Sequence, residues 1–306
     1  VMGNIAATGD EPNVGGIIGL AENSELSYVN AYADIIGEYN VGGIAGLATS
    51  TNISFATFEG SAISNGLSLM GDYVGGIVSE ARGTTTVYAS NNLGSLDGDL
   101  AGGIIGFAGD DVVVSNSYNK GDLIANHTVG GVVGSNEGVI YMSYNSGNTL
   151  TVRDSGFTER VIGGVAATNR GIIELSYSTV DLVLEGGADE DDVIGGVVGS
   201  NSGEIRQSYF NKNACAAEFA GVNSGDIDED SMGLSTWKMV SRNDAIPYFM
   251  TGYADVEGEL DWLYIAPYTD MLDQKIYFYP ELDVFAGSNW LGQEFTYEHL
   301  EATMTI

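Results

Sequence analysis

The residues of this chain best suited to chemistry are its carboxylates. It carries 42 Asp and Glu against 10 Lys and Arg, a formal charge of −32 over 306 residues. Asp189, Glu190, Asp191 and Asp192 follow one another, and Asp226, Asp228 and Asp230 alternate along a second stretch. Calcium takes about six to eight hard oxygens, which acidic loops supply. These seven residues are therefore the candidate ligands for a Ca2+ ion, although neither stretch has EF-hand spacing. Asp97 with Asp99 and Asp110 with Asp111 are carboxylate pairs of the type glycoside hydrolysis uses, at separations of about 5 to 9.5 Å. All of them lie among Gly and Asp residues, where solvated turns are expected.

Other chemistry is sparse. The two histidines, His127 and His299, fall in different regions, and Cys215 is the only cysteine. No His/Cys cluster, His-Glu-x-x-His pattern or serine-nucleophile motif occurs. His127 sits in Asn126-His127-Thr128, which reads as a solvated polar corner. Cys215, in Ala214-Cys215-Ala216-Ala217, reads as a small buried apolar residue. No enzyme activity is expected, and no cofactor beyond calcium. The charge argues against a nucleic-acid partner, which needs a cationic footprint. It equally disfavours an anionic membrane surface. No run of 18 apolar residues is present to insert into a bilayer. Such a field suits an extracellular, self-repelling surface.

The elements that position these groups repeat. Gly-Gly pairs begin at Gly15, Gly42, Gly75, Gly102, Gly130, Gly163 and Gly195, each followed by apolar residues. An aromatic follows each pair: Tyr28, Phe55, Tyr88, Tyr118, Tyr144, Tyr177 and Tyr209, usually beside Ser or Ala. Self-similarity at a fixed period marks a repeat architecture. The apolar runs are short and rich in Val and Ile, which suits strands. The 44 glycines would each cost a helix about 1 kcal/mol. The expected fold is an all-β β-solenoid of about eight coils. A unit of this length fits a three-sided turn with strands of about 5 to 6 residues. Equivalent residues then form ladders. Ile17, Ile44, Ile77, Ile104, Val132, Val165 and Val197 are one, and the seven aromatics a second. The Gly-Gly pairs suit corners with positive φ or close backbone approach. The longest units carry corner loops at 153–160 and 186–192.

The segments Gly16-Ile17-Ile18-Gly19-Leu20, Gly43-Ile44-Ala45-Gly46-Leu47, Gly131-Val132-Val133-Gly134 and Gly196-Val197-Val198-Gly199, each with its Ser-Tyr-like follower, resemble the GLUG-motif repeats of bacterial and archaeal surface proteins. Gly76-Ile77-Val78-Ser79 and Gly164-Val165-Ala166-Ala167 lack the last glycine. The resemblance covers residues 1–225. It implies a secreted or wall-attached adhesin-like or protease-associated region, with no catalytic residues to transfer.

The texture changes near residue 226. Residues 226–306 hold all three tryptophans and fourteen aromatics in all, which reads as an aromatic-rich C-terminal capping region. Three features suggest self-assembly into a cell-surface fibre or sheath. Gly3-Asn4-Ile5-Ala6-Ala7 matches only the last third of a unit, so the first coil is incomplete and Ile5 is a candidate assembly residue. Leu300, Ala302, Met304 and Ile306 alternate like a strand that can be donated to a neighbour's sheet edge. The Gly-Gly strands are apolar on both faces, as in Val14, Ile17, Ile18 and Leu20. The expected product is a homo-oligomer or homopolymer at the cell surface. The alternative is a monomeric adhesin stalk binding carbohydrate or host protein; a polysaccharide-active β-helix enzyme is a distant third.

Overall fold

A computed structural model describes residues 2–7, 13–65, 72–147, 149–156, 159–212, 214–229 and 231–234, together with the backbone of 236–241, 247–254, 260–265, 269–270 and 275–276. The chain divides into two compact units, Val1–Gly233 and Leu234–Ile306.

The first unit is a β-solenoid, all-β as its composition requires. Each coil has four faces rather than three sides. In the first complete coil, face one is Ile18–Glu22, face two Glu25–Ser27, face three Asn30–Gly37 and face four Asn40–Gly42. Each face pairs in parallel with its counterpart one coil on. Face two alone makes an eight-stranded sheet, from Glu25–Ser27 to Asp226–Ile227. Face two continues to Asp226–Ile227 within the first unit. The second unit contains an antiparallel sheet of Thr236–Ser241, Pro247–Ala254 and Leu260–Ile265.

The valine and isoleucine ladder forms as the period predicts. The Ile17 amide donates to the Ile44 carbonyl at 3.0 Å, Ile44 to Ile77, Ile77 to Ile104, Ile104 to Val132, Val132 to Val165, and Val165 to Val197. Ile44, Ile77, Ile104, Val132, Val165 and Val197 are fully buried. Glycine is required here by close approach, not by positive φ. A Cβ on Gly42 would lie 1.8 Å from the Ala45 oxygen, and one on Gly43 2.1 Å from the Gly76 oxygen.

The apolar residues do not form a second outer face. The Ile44 and Ala45 amides both donate to the Ile77 carbonyl. At this bend successive residues turn inward together, and Val41, Ile44 and Ala45 are all fully buried. Leu20 and Leu47 belong instead to a column outside the core, which continues as Glu80, Phe107, Ser135, Thr168 and Ser200. The outward apolar residues of these strands are thus confined to the positions of Leu20, Leu47 and Phe107 in this column, with Leu20 47% exposed.

The aromatic ladder also divides. Register places Tyr118, Tyr144, Tyr177 and Tyr209 in one column on face three, with Tyr118–Tyr144 and Tyr144–Tyr177 stacked at 5.2 and 4.9 Å. Tyr88 stands on face two beside Ser54 and Ser115. Tyr28 and Phe55 occupy the corner between faces two and three. Their spacing of 13 to 16 residues after the glycines mixes three distinct positions.

That corner is left-handed in every coil, yet never glycine. Tyr28, Phe55, Ala89, Asn116, Met142, Leu175 and Gln207 have φ of 42 to 55°. Each costs about 1–2 kcal/mol relative to an ordinary conformation. A serine ladder offsets that cost. The Ser90 amide donates to Ser117 Oγ, Ser117 to Ser143, Ser143 to Ser176, and Ser176 to Ser208, at 3.1–3.3 Å. Each of these hydroxyls donates back to the carbonyl two residues earlier, as Ser143 Oγ does to Tyr141 O at 3.0 Å. The buried N–H at the corner is thus satisfied by the next coil. Substituting Ser143→Ala removes the acceptor for the Ser117 amide and leaves that donor buried. We expect a loss of about 1–3 kcal/mol with an unchanged circular dichroism spectrum, read by urea denaturation.

Candidate functional site

Polar side chains converge at the corner between faces three and four, where the longest loops lie. On face three of successive coils, Asp97 lies beside Ile124, which lies beside Thr151. Arg153 reaches back two coils and grips Asp97 with both amino groups, at 2.6 and 2.7 Å. Arg153 also donates to Asn126 Oδ1, and Asn126 Nδ2 donates to Asp99 Oδ1 at 2.7 Å. The guanidinium is raised above its ordinary value, first by its hydrogen bond to Asp97. Both oxygens of Asp97 are therefore held by a cation. A carboxylate so engaged is not a free nucleophile.

His127 belongs to this corner and is half-buried rather than fully solvated. It lies in the strand Leu123–Gly130, half-buried, with Nδ1 2.7 Å from Thr128 Oγ1. Burial holds its pKa below the ordinary histidine value, against the opposing charges of Glu159 and Asp99. Cys215 is buried, and burial pushes its thiol up.

The acidic loop at 186–192 has a structural partner. Arg160 Nε donates to Asp192 Oδ1 at 3.0 Å and an Arg160 terminal nitrogen to Oδ2 at 2.6 Å. The same guanidinium binds the carbonyls of Glu185 and Gly187. Asp192 also accepts the amides of Arg160 and Asp189. The two side chains are only 4% and 1% exposed. Asp192 thus has its oxygens filled by N–H donors, whereas Asp189, Glu190 and Asp191 point to solvent. In the second stretch, Asp228 accepts the Gln207 amide and the Ser231 hydroxyl, closing the last left-handed corner. Asp226 is exposed on face two, and Asp230 lies outside the described residues. Among the described residues no cluster of three or more His, Cys, Asp or Glu is arranged to hold a metal.

Ile5 sits in Met2–Ala6, opposite Ile35 and partly packed on the core. That strand pairs with Asn30–Gly37 on one side. Leu300, Ala302, Met304 and Ile306 lie outside the described residues.

Sequence reading missed two asparagine ladders. Asn92 Nδ2 donates to Asn119 Oδ1 at 2.7 Å, and Asn119 to Asn145 at 2.9 Å. On another corner Asn136 donates to Asn169, Asn169 to Asn201, and Asn201 to Asn223, at 2.7–2.8 Å. Each asparagine also binds its own turn, as Asn92 Nδ2 does to Gly94 O. The signal was available: Asn-x-Gly recurs at 92, 119 and 145, and at 136, 169, 201 and 223.

No family model matches the chain, and no curated protein matches it. Among solved structures the solenoid resembles a chain described as IgA1 Protease, with a TM-score of 0.51 and 14% identity. The match covers 88% of this chain and 21% of that one, so this chain spans about a fifth of its structural neighbour. The likeness establishes the β-helical fold.

The Arg160–Asp192 staple generates a stability prediction. The pair lies under a loop, so Arg160→Met should cost about 3 kcal/mol, the low end for breaking a buried pair. Hydrogen bonds from Arg160 hold the Asp192 carboxyl below the ordinary carboxylate range. Its contribution is therefore complete above the unfolded-state value and is lost as pH falls through the lower folded value. In Asp192→Asn the fall in stability on acidification should be shallower than in the parent, measured by urea midpoints from pH 6 to pH 2.

Proposed function

We propose that the chain is an extracellular structural rod, a solenoid segment that self-assembles into a cell-surface fibre or sheath. The observation that carries this reading is the use made of its polar side chains. The serines and asparagines inside the coils bond to the next coil, and Asp97, Asp192 and Asp228 are bound to their own scaffold. These three carboxylates are engaged in cohesion, whereas Asp110, Asp111, Asp189, Glu190 and Asp191 are exposed. Seven Gly-Gly coils at about 4.8 Å per step make a rod segment of about 29 Å along the axis. The −32 charge keeps such rods apart laterally and favours growth along the axis.

In this reading a second copy stacks on Met2–Ala6. The Ala7 amide donates to the Ile36 carbonyl. Alternation along the strand then directs the main-chain groups of Asn4 and Ala6 to the other side. Parallel pairing there continues the register of the stack.

A monomeric stalk with a carbohydrate site is the second reading, favoured by the aromatics at the left-handed corner. Their geometry fits it less well. Tyr28 and Phe55 stack at 4.5 Å with an interplanar angle of 6°, so each covers a face that a sugar would use.

Negative-stain microscopy and sedimentation at rising concentration test the assembly. Rods should lengthen with concentration, and Asn4→Pro, which removes an outward N–H, should shorten them without lowering the unfolding free energy by more than about 1 kcal/mol. Particles that stay monomeric at every concentration would refute assembly.

A further inference from the structure

The solenoid carries a buried carboxylate that its architecture does not require. Glu80 stands in the column Leu20, Leu47, Glu80, Phe107, Ser135, Thr168, Ser200, where every other coil has an apolar or hydroxyl residue. Neighbouring coils stack in register without it. A carboxylate taken out of water at such a place needs compensation.

That compensation comes unequally from two sides. From below, Asn40 Nδ2 donates to Glu80 Oε2 at 3.1 Å, and the same nitrogen donates to Asn13 Oδ1 at 3.1 Å. Asn40 is thereby tethered, and it holds one carboxylate oxygen in place. From its own strand, Arg82, two residues on, pairs with Glu80 Oε1. Here the acid side chain is 8% exposed and the base 63% exposed. In the other described pairs, acid and base are both buried or both substantially exposed, except for the distant contact of Asp189 to Arg160. A cation that remains in water loses little when it leaves. The carboxylate it uncovers stays held in place.

Aromatic walls adjoin this anchor. Tyr73, one coil on from Asn40, meets Phe107, one coil on from Glu80, with ring centroids 5.4 Å apart. Tyr73 feels the carboxylate: its phenol is raised first by burial and then by the charge of Glu80. A fixed carboxylate beside aromatic rings is a site for an organic cation, which gains from both charge and ring quadrupole. The excess of 42 acids over 10 bases concentrates such cations around the molecule.

We infer that the outer side of the Gly-Gly bend in the third coil is a docking site for a lysine or arginine side chain of a partner polypeptide. Glu80 is its anchor, Tyr73 and Phe107 are its walls, and Arg82 is the internal occupant that the partner displaces. The site lies within complete coils and does not depend on assembly.

The test uses the whole chain and a fluorescently labelled, capped penta-lysine peptide, followed by anisotropy at about 0.15 M salt, where long-range attraction is screened. Arg82→Ala should bind at least about fivefold more tightly than Arg170→Ala, which removes the same charge from an exposed pair with Glu137. Glu80→Leu should bind at least about fivefold more weakly than Glu59→Gln, which removes an exposed carboxylate elsewhere. Leucine already occupies the same column in the coil before, so this variant should fold, as its melting curve will report. Equal binding by Glu80→Leu and Glu59→Gln would assign the attraction to the overall field and overturn the site. So would equal binding by Arg82→Ala and Arg170→Ala. Filament growth by Glu80→Leu measures the assembly reading separately.

Discussion

Each residue of the solenoid is held by its counterpart one coil away. The amide of Ile44 reaches Ile77, that of Ser143 reaches the Ser176 hydroxyl, and Asn119 reaches Asn145. A coil has little core of its own, because its faces are three to eight residues long. Its buried main-chain groups find partners chiefly in the coils above and below. Stacking in strict parallel register is thus both the source of cohesion and the constraint that every local choice must obey.

The constraint explains features that would be faults elsewhere. Seven bulky or polar residues in left-handed conformation would burden an isolated turn. Here the same turn repeats, and from Ser90 to Ser208 each copy supplies the hydroxyl that the amide of the coil before it needs. Buried asparagines would weaken an apolar core, yet inside a ladder the amides of Asn119, Asn169 and Asn201 both donate and accept. The arginines follow the same logic. Arg153 spans two coils to reach Asp97, and Arg160 binds the loop of the following coil through Asp192. Glu80 departs from this economy, because its strongest partner stands in solvent.

Much of this was legible in the chain. The Gly-Gly period and the Val and Ile that follow it specify parallel in-register coils, because a one-residue slip would expose the whole apolar set. The aromatic column was only partly legible, because spacing from the glycines does not reveal which corner a residue turns. Tyr88 and Tyr118 lie 13 and 16 residues after their pairs and stand on different faces. The acidic loops misled for a related reason. Asp189 to Asp192 are neighbours in sequence, but only Asp192 turns inward, toward an arginine 32 residues earlier.

By itself, then, the sequence determined the class of fold, its number of coils, its acidic surface and the ladder of Ile17 to Val197. These follow from period and composition, which are one-dimensional properties. Tertiary structure alone decided which carboxylates are free. It also decided that the serines and asparagines bond between coils, and that apolar residues on both sides of the Gly-Gly strands share one interior. Those outcomes depend on the direction of each side chain at a corner, and a bend or a left-handed residue resets that direction without changing the period.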